Sequence, residues 1–555
     1  MRARHVLLAV AAGLALADAS VVTLALPQLL RELDTSVEGV ASILGVYTVV
    51  LAAALLPAER LSRVAGAPRT AAAGMLVFAA ASVVCGAGSS LGLLLAARGV
   101  QAVGGAAALV AVFALLEPRG AAGAHGRRLW LGAAVLASAV GPALGGALTE
   151  AFSWRSIFYV QAPVAALAAV VALREPAPAP AVGRPETESG EDRWRAGPAI
   201  GLALVSAALT AVLFLLVLLL VAGWDVAPLS AAAAVTVIPL GALAGARIGG
   251  DARLRAGAGC GLVAAGVLAL AFLPDARLLW TVVPQAAAGL GMGLALPALG
   301  GELLPERDAR DAARLLVLRH AGIALALLVL APIVSADLTS STDRARERGV
   351  AIVLDARLSP ADKLRLAPDL LAGVNEDQPR RGLRAALAQG RASITTGDRA
   401  AYDALAHATD ATLVLAVGEA FRTGFLVTGA LALLAALALA PGPRPARGTA
   451  LGLAAVAAVV VVVPLAYLGL HAAVAPTPVA LRDPCRPRPL PGTGGVEGFL
   501  QDRALELLDT TACHAGSTRE ELVLALADDG DRRRFERAHG VDPRALSTVL
   551  SALLG

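Results

Sequence analysis

Apolar windows of roughly twenty residues recur along the whole chain, each long enough to cross a bilayer as a helix. They fall near 6–29, 38–58, 69–88, 91–116, 129–149 and 154–173, then near 198–222, 229–249, 255–273, 278–301, 313–336 and 413–440, with a last one near 449–472. Three longer polar stretches interrupt them: a Pro- and Glu-bearing linker at 174–197, a segment at 337–412, and a tail that starts near His471 and runs to Gly555. The order is six windows, a linker, six more and one extra, which suggests an internally duplicated bundle. The helix signals in the polar stretches are local. Ser359-Pro360-Ala-Asp362 reads as an N-cap and first turn, Ser517-Thr-Arg-Glu520 as a capping box, and Asp542-Pro543 as the opening of a final helix. Leu364–Leu371 and Leu505–Leu508 have amphipathic spacing, so their apolar faces need a partner.

Composition turns this pattern into a class. Hydrophobic residues make up 57% of the chain, aromatics only 3%, and the mean hydropathy is +0.70. That is far above a soluble globular chain and reads as an all-α polytopic membrane protein. The charge distribution gives an orientation. With the N-terminus inside, the inner segments hold twenty arginines, whereas the short outer loops hold Arg31, Arg155 and Arg277. This asymmetry follows the positive-inside rule, and tryptophans 130, 154, 194, 224 and 280 lie at or near predicted helix ends as interfacial anchors. The start, Met-Arg-Ala-Arg-His and then apolar, has the look of a signal peptide. We read it as retained, because the apolar run continues through Pro27. An odd number of spans puts the tail outside, together with 337–412. In that exterior Cys485 and Cys513 read as a disulfide, with two free thiols or metal ligands beside His514 as the alternatives.

Few residues inside the apolar windows carry charge. Asp18 lies midway along the first, where an ionised carboxylate costs about 2.5–3.5 kcal/mol on insertion scales, and Arg98 lies in the fourth. Each needs a partner, and they are the obvious candidates for one another. Two static roles compete with a functional one: Asp18 in a shallow span near water, or a fixed ion pair. Glu419 and Arg422 are spaced i,i+3 and are expected to pair with each other.

Several motifs carry a family resemblance. Asp18-Ala-Ser-Val-Val-Thr-Leu-Ala-Leu-Pro27 looks like the first-helix motif of the drug:proton antiporter, or multidrug-exporter, branch of the major facilitator superfamily. Arg98-Gly-Val-Gln101-Ala-Val-Gly104-Gly105 resembles its fourth-helix motif, with Ala102 in place of the first glycine. Gly132, Ser138 and Gly141-Pro142-Ala-Leu-Gly145-Gly146, followed by Trp154-Arg155, resemble the fifth-helix antiporter motif, and Arg319-His320-Ala-Gly322 the start of the eleventh span. The loop after the second span departs from the superfamily signature. It reads Glu59-Arg-Leu61-Ser-Arg63-Val-Ala-Gly66-Ala-Pro-Arg69, with Glu59 where glycine is expected and Arg63 where the aspartate is. The equivalent loop of the second half, 246–255, is equally loose.

The resemblance implies two six-helix bundles of the major-facilitator fold, to which this chain adds a thirteenth transmembrane helix and a small helical extracytoplasmic domain. The expected boundaries are 1–173 and 198–440 for the bundles, the latter holding the insertion 337–412, then 441–472 for the extra helix and 473–555 for the tail domain. It further implies proton coupling through Asp18 and Arg98. Gln101, Gly104, Gly141, Pro142, Gly145, Gly146, Arg319 and His320 would line the transport path or act as hinges, and Glu59, Arg63, Gly66 and Arg69 would form the inner gate. His320 reads more readily as a packed or interfacial residue than as a titrating one. The leading expectation is a proton-coupled secondary exporter of hydrophobic or amphipathic small molecules in the plasma (inner) membrane, working by alternating access. The alternative is a non-transporting receptor, scaffold or envelope-assembly factor on a carrier platform. No GxxxxGK[ST] or HExxH motif occurs, so neither an enzyme nor a cofactor or metal is expected. The partners expected are a small-molecule substrate, protons and the lipid bilayer, with no nucleic acid. The polar exterior leaves room for an extracytoplasmic protein partner.

Overall fold

The computed structural model describes residues 2–116, 141–176, 196–304, 309–373, 379–394, 398–439 and 447–545. Within them all regular secondary structure is helical, and eleven helices are long and apolar enough to cross a membrane. They group into two compact units.

The larger unit comprises 1–221, 226–335 and 421–473. It opens with α1 (Arg2–Thr23) and the short α2 (Leu26–Glu32), followed by α3 (Val37–Ala65), α4 (Ala67–Ala87) and α5 (Leu91–Leu116). A helical run at 141–151, here α6, precedes α7 (Arg155–Leu173). The expected single window 6–29 is thus two helices. Pro27 has no N–H to give and sits in the first turn of α2, so the chain turns at Leu24-Ala25. Residues 129–140 of the fifth window, with Trp130, Gly132 and Ser138, and nearly all of the linker lie outside the described residues. The second half holds α8 (Ala196–Val217), which runs into a π-helical turn, then α9 (Pro228–Val235), α10 (Val237–Gly245), α11 (Ala252–Leu270) and α12 (Val282–Pro297). The window 229–249 is split at Thr236, next to Pro239.

Packing inside this unit relies on small residues, because lipid supplies no hydrophobic force between helices. Tyr47, Leu51, Met75, Phe78, Ala102, Ala106 and Leu109 belong to one buried cluster that also takes residues from α1 and α7. α3 packs on α5, and α4 packs on both α5 and α7.

α13 (Ala309–Asp355) and α16 (Arg399–Ala438) each divide between the units at Ser335/Ala336 and Ala420/Phe421. α13 runs past the end of its apolar window, and α16 starts well before the beginning of its own. The polar continuation of α13 keeps helical residues, and no proline follows Pro332 until Pro360. α17 (Arg447–Val474) occupies the last window, and only 6% of its apolar stretch is buried. It is held by Tyr467, whose hydroxyl donates to the Trp280 carbonyl at 2.7 Å, and by His471.

The smaller unit comprises 222–225, 336–420 and 474–555, so the insertion and the tail build one body. It contains the polar ends of α13 and α16, with α14 (Pro360–Gly373), α15 (Pro379–Ser393), α18 (Gly495–Ala515), α19 (Arg519–Ala527) and α20 (Asp529–His539). Ser359 caps α14 by accepting from the Asp362 amide at 3.1 Å. The cap of α19 falls one residue later than the sequence suggests: Thr518, not Ser517, accepts from the Glu521 amide, also at 3.1 Å. Residues 546–555, past Asp542-Pro543, lie outside the described set. Ala512, Leu522, Ala525 and Phe535 form a small core. Fully buried Arg519 joins the two segments, pairing with Asp355 at 2.7 Å and Glu520 at 3.3 Å. Arg488 adds Asp509 and Glu520 to the same cluster. Cys485 and Cys513 form a disulfide with Cα atoms 5.0 Å apart. Closing 27 intervening residues restricts the unfolded chain by about 3 kcal/mol.

Among the groups of this unit with shifted pKa values are Lys363 and Asp410. Burial pushes Lys363 down to about 8, even though its ammonium donates to the Leu354 carbonyl at 2.6 Å. Burial would raise Asp410, but two 2.8 Å hydrogen bonds and the charge of Arg380 outweigh it and hold the carboxyl below its ordinary value. Glu419 and Arg422 do not pair. Glu419 meets Arg344 at 3.5 Å, while Arg422 reaches the Ala271 carbonyl and the His471 ring.

Candidate functional site

In the larger unit the two lone charges of the amino-terminal half meet. Asp18 on α1 and Arg98 on α5 both have 0% exposure, and an Arg98 Nη1–Asp18 Oδ2 ion pair joins them. Isolated, either charge would be strongly disfavoured. Together they are embedded in a polar network drawn from five helices. Arg98 Nη1 also donates to Gln101 Oε1 at 2.8 Å, and Arg98 Nε to the Ile43 carbonyl of α3 at 3.3 Å. Gln161 of α7 donates to the other Asp18 oxygen at 3.1 Å. The Gln101 amide bridges Ser82 Oγ of α4 at 2.9 Å and Gln161 at 3.2 Å. The guanidinium carbon lies 4.3 Å from the Tyr47 ring centroid and 5.7 Å from that of Phe158, within cation–π range. Among the described residues Nη2 of Arg98 has no hydrogen-bond partner. Neutralising Asp18 would weaken its hold on Arg98 and leave the guanidinium to Gln101, Ile43 and the rings.

The other face of α1 lines a cleft between the halves. Leu16, Ser20 and Thr23 share it with Tyr47 and Thr48 of α3, Ser206, Leu209, Thr210 and Leu213 of α8, and residues of α10 and α12. It encloses about 1030 Å³, counting the part open to solvent. Arg319 and His320 enter it from α13. His320 is 6% exposed, and its Nδ1 lies 2.7 Å from the Leu316 carbonyl, so the nitrogen that carries the hydrogen donates back along its own helix. Tyr47 belongs to both regions. Its ring separates the cleft from Arg98, and its hydroxyl donates to the Ala15 carbonyl at 2.7 Å.

The glycines of α6 serve contact rather than the cleft. A Cβ at Gly145 would run into the Val21 carbonyl of α1, one at Gly141 into Ser20, and one at Gly146 into Ala232 and Pro228 of α9. Only glycine permits this approach, and it seats α6 against both halves. Pro142 is buried in the same run. Gly104 lies where α5 crosses α4, against Gly74 and Phe78. Beyond α6, the Trp154 amide donates to Gln28, its indole N–H to Glu32 at 2.8 Å, and Arg155 pairs with Glu32 at 2.6 Å.

At the α3–α4 turn Arg63 is exposed but pairs with Glu59 at 2.7 Å, an i,i+4 partner whose carboxylate is buried. Gly66 has φ +90°, a backbone strained for any residue with a side chain, and Arg69 is exposed on the next helix. In the corresponding second-half loop Asp251 caps α11 and Arg255 pairs with Glu302. Among the described residues no cluster of three or more His, Cys, Asp or Glu side chains could hold a metal.

Sequence reasoning missed Tyr47, Ser82 and Gln161. Gln161 could have been found by the same reasoning that singles out Asp18, since it is a polar side chain inside an apolar window. Tyr47 and Ser82 carry no such signal.

Solved and curated proteins agree with this architecture. The fold is similar to that of a bacterial homologue of the human lysosomal transporter Spinster in an inward-facing and occupied conformation (TM-score 0.55, 16% identity, covering 78% of this chain and 95% of that one). The chain is 33% identical over 174 residues to multidrug resistance protein Stp of Mycobacterium tuberculosis (30% of this chain, 32% of Stp). It is 37% identical over 158 residues to the puromycin resistance protein pur8 of Streptomyces alboniger (27% and 31%), and 32% identical over 176 residues to the methylenomycin A resistance protein of Bacillus subtilis (30% and 37%). The matched stretches thus span about a third of the length of these relatives. The sequence profile of the Major Facilitator Superfamily covers residues 8–309. With more than half of the chain matched, and the helices of that fold in place, this protein belongs to the Major Facilitator Superfamily.

Proposed function

We propose that this chain is a secondary transporter that exports hydrophobic or amphipathic small molecules in exchange for protons, by alternating access. The observation that carries the reading is the fully buried Asp18–Arg98 pair, one tyrosine ring away from the cleft between the halves. A carboxylate sealed from solvent in one conformation takes up a proton only in another. Its protonation state and the bundle's conformation are therefore thermodynamically linked. Substrate in the cleft would press on Tyr47, and Tyr47 lies on Arg98. The α6 contacts with α1 and α9 supply a rigid seam on which the halves rock. Similarity to puromycin, methylenomycin and multidrug resistance proteins supports a small-molecule substrate. The arginine distribution supports an inner-membrane topology with the N-terminus cytoplasmic, α17 as an added span, and the smaller unit outside.

The test is uptake into inverted proteoliposomes with an imposed pH gradient, using a panel of anionic, neutral and cationic amphipathic dyes. Gradient-driven uptake is expected in the native chain and none with Asp18→Asn, whose fold should persist because the amide still accepts from Arg98. Undiminished uptake by that variant ends the coupling role. A second reading, a non-transporting receptor or assembly platform, draws on the compact smaller unit made from two distant segments. A platform is indifferent to Asp18→Asn.

A further inference from the structure

The cleft between the halves has an asymmetric chemistry. Its floor and walls are aliphatic: Leu16, Leu209, Leu213, Ile238, Leu296 and Ile323. Hydroxyls from Ser20, Thr23, Thr48, Ser206 and Thr210 are spread among them. No described residue lining the cleft is an aspartate or glutamate. One permanent cation, Arg319, faces it, and no ion pair or hydrogen bond of Arg319 occurs among the described residues. Arg98, the other cation deep in the bundle, is committed to Asp18 and screened from the cleft by Tyr47.

An arginine held in an apolar surround without a carboxylate is strongly disfavoured unless something else satisfies it. In an empty cleft only solvent water could do so. A cargo that displaces this water must offer an acceptor of its own, or Arg319 is left buried and unpaired. A planar guanidinium is best matched by a carboxylate, sulfonate or phosphate, which it grips through two parallel hydrogen bonds. A cationic cargo would meet repulsion and find no acid to offset it. We propose that Arg319 is the specificity-determining residue of the cargo site, and that the cargo is an anionic amphiphile whose acidic group pairs with Arg319 while its apolar body fills the aliphatic cleft. The inference takes from the transporter reading only that this cleft is where cargo binds.

The experiment is equilibrium binding to the full chain in nanodiscs, with three probes of one shape: 1-naphthaleneacetate, its neutral amide, and 2-(1-naphthyl)ethylamine. The anion is expected to bind at least about tenfold more tightly than the amide, as a charge-assisted pair in a partly buried site would give, and the amine most weakly. Arg319→Gln should erase the preference for the anion, and Arg319→Lys should keep part of it. Equal affinity for anion and amide, preference for the amine, binding of none of the three, or an unchanged preference in Arg319→Gln would each overturn the proposal. The outcome is separable from that of the transport reading. Charge-selective binding without gradient-driven uptake would sustain this site and sink the transporter, whereas gradient-driven uptake of cations alone would do the reverse.

Discussion

Arg98 and Arg319 each stand on an apolar helix, one in each half of the same bundle, and their surroundings are opposites. Arg98 has 0% exposure and engages a carboxylate, an amide oxygen, a backbone carbonyl and two aromatic faces. Arg319 faces an open cleft with no such company. The same side chain thus meets the same physical problem in two ways. One arginine is engaged by its neighbours through all but Nη2 and is, in the proposed cycle, part of the protein's own switch. The other is left for whatever enters. In the proposed cycle the half that carries Asp18 responds to protons, and the half that carries Arg319 recognises the ligand.

The comparison breaks most visibly if Arg98 proves dispensable. Arg98→Met leaves Asp18 buried and unpaired, and a loss of about 3–5 kcal/mol is expected in detergent unfolding of the full chain. The double variant Asp18→Asn with Arg98→Met should recover most of that loss, because no uncompensated charge remains. A single variant as stable as the native chain would show that the network does not depend on the pair. Arg319→Met should behave differently in the same assay. It strands no partner, so a change below about 1 kcal/mol is expected, with any larger loss revealing a structural role. Lys363, a buried cation of the smaller unit, sharpens the comparison with the smallest effect. Its folded pKa of about 8 lies below the ordinary lysine value of 10.5. The unfolded chain therefore binds more protons between these limits, and stability should rise with pH across that window. The burial penalty is complete below about pH 8 and gone above about 10.5. Lys363→Met should flatten this rise and stabilise the unit at neutral pH. Melts of a variant keeping only Trp224 as fluorophore would check it, and an unaltered pH slope would assign the rise elsewhere.

What was legible in the sequence follows the same physics. Asp18 and Arg98 stood out because a charge within an apolar run is expensive wherever the chain goes, and two such charges predict each other. The spans were legible for the same reason. Helix ends were not. A polar stretch such as 337–412 signals departure from the lipid but says nothing about the helix stopping, and α13 and α16 continue into it. The pairing of Glu419 with Arg422 failed because i,i+3 spacing is only a local preference of some tenths of a kcal/mol. Arg344 and His471, brought close by tertiary packing, override it. The thirteen expected windows become eleven qualifying helices among the described residues, since the fifth window is only half described and α1 is not one of the eleven. Ser82 and Tyr47 were obscure because weakly polar side chains are tolerated in membrane helices for many reasons, and nothing in their spacing distinguishes one reason from another.

The complete enclosure of Asp18 has a consequence for time as well as energy. A carboxyl group with no exposed surface exchanges with buffer only when the surrounding helices part. If that parting is slower than proton diffusion, infrared spectra recorded after a pH jump would show the carboxyl band changing at the opening rate, whatever the buffer strength. The band would then act as a clock, reporting how often the closed bundle opens in the absence of any cargo.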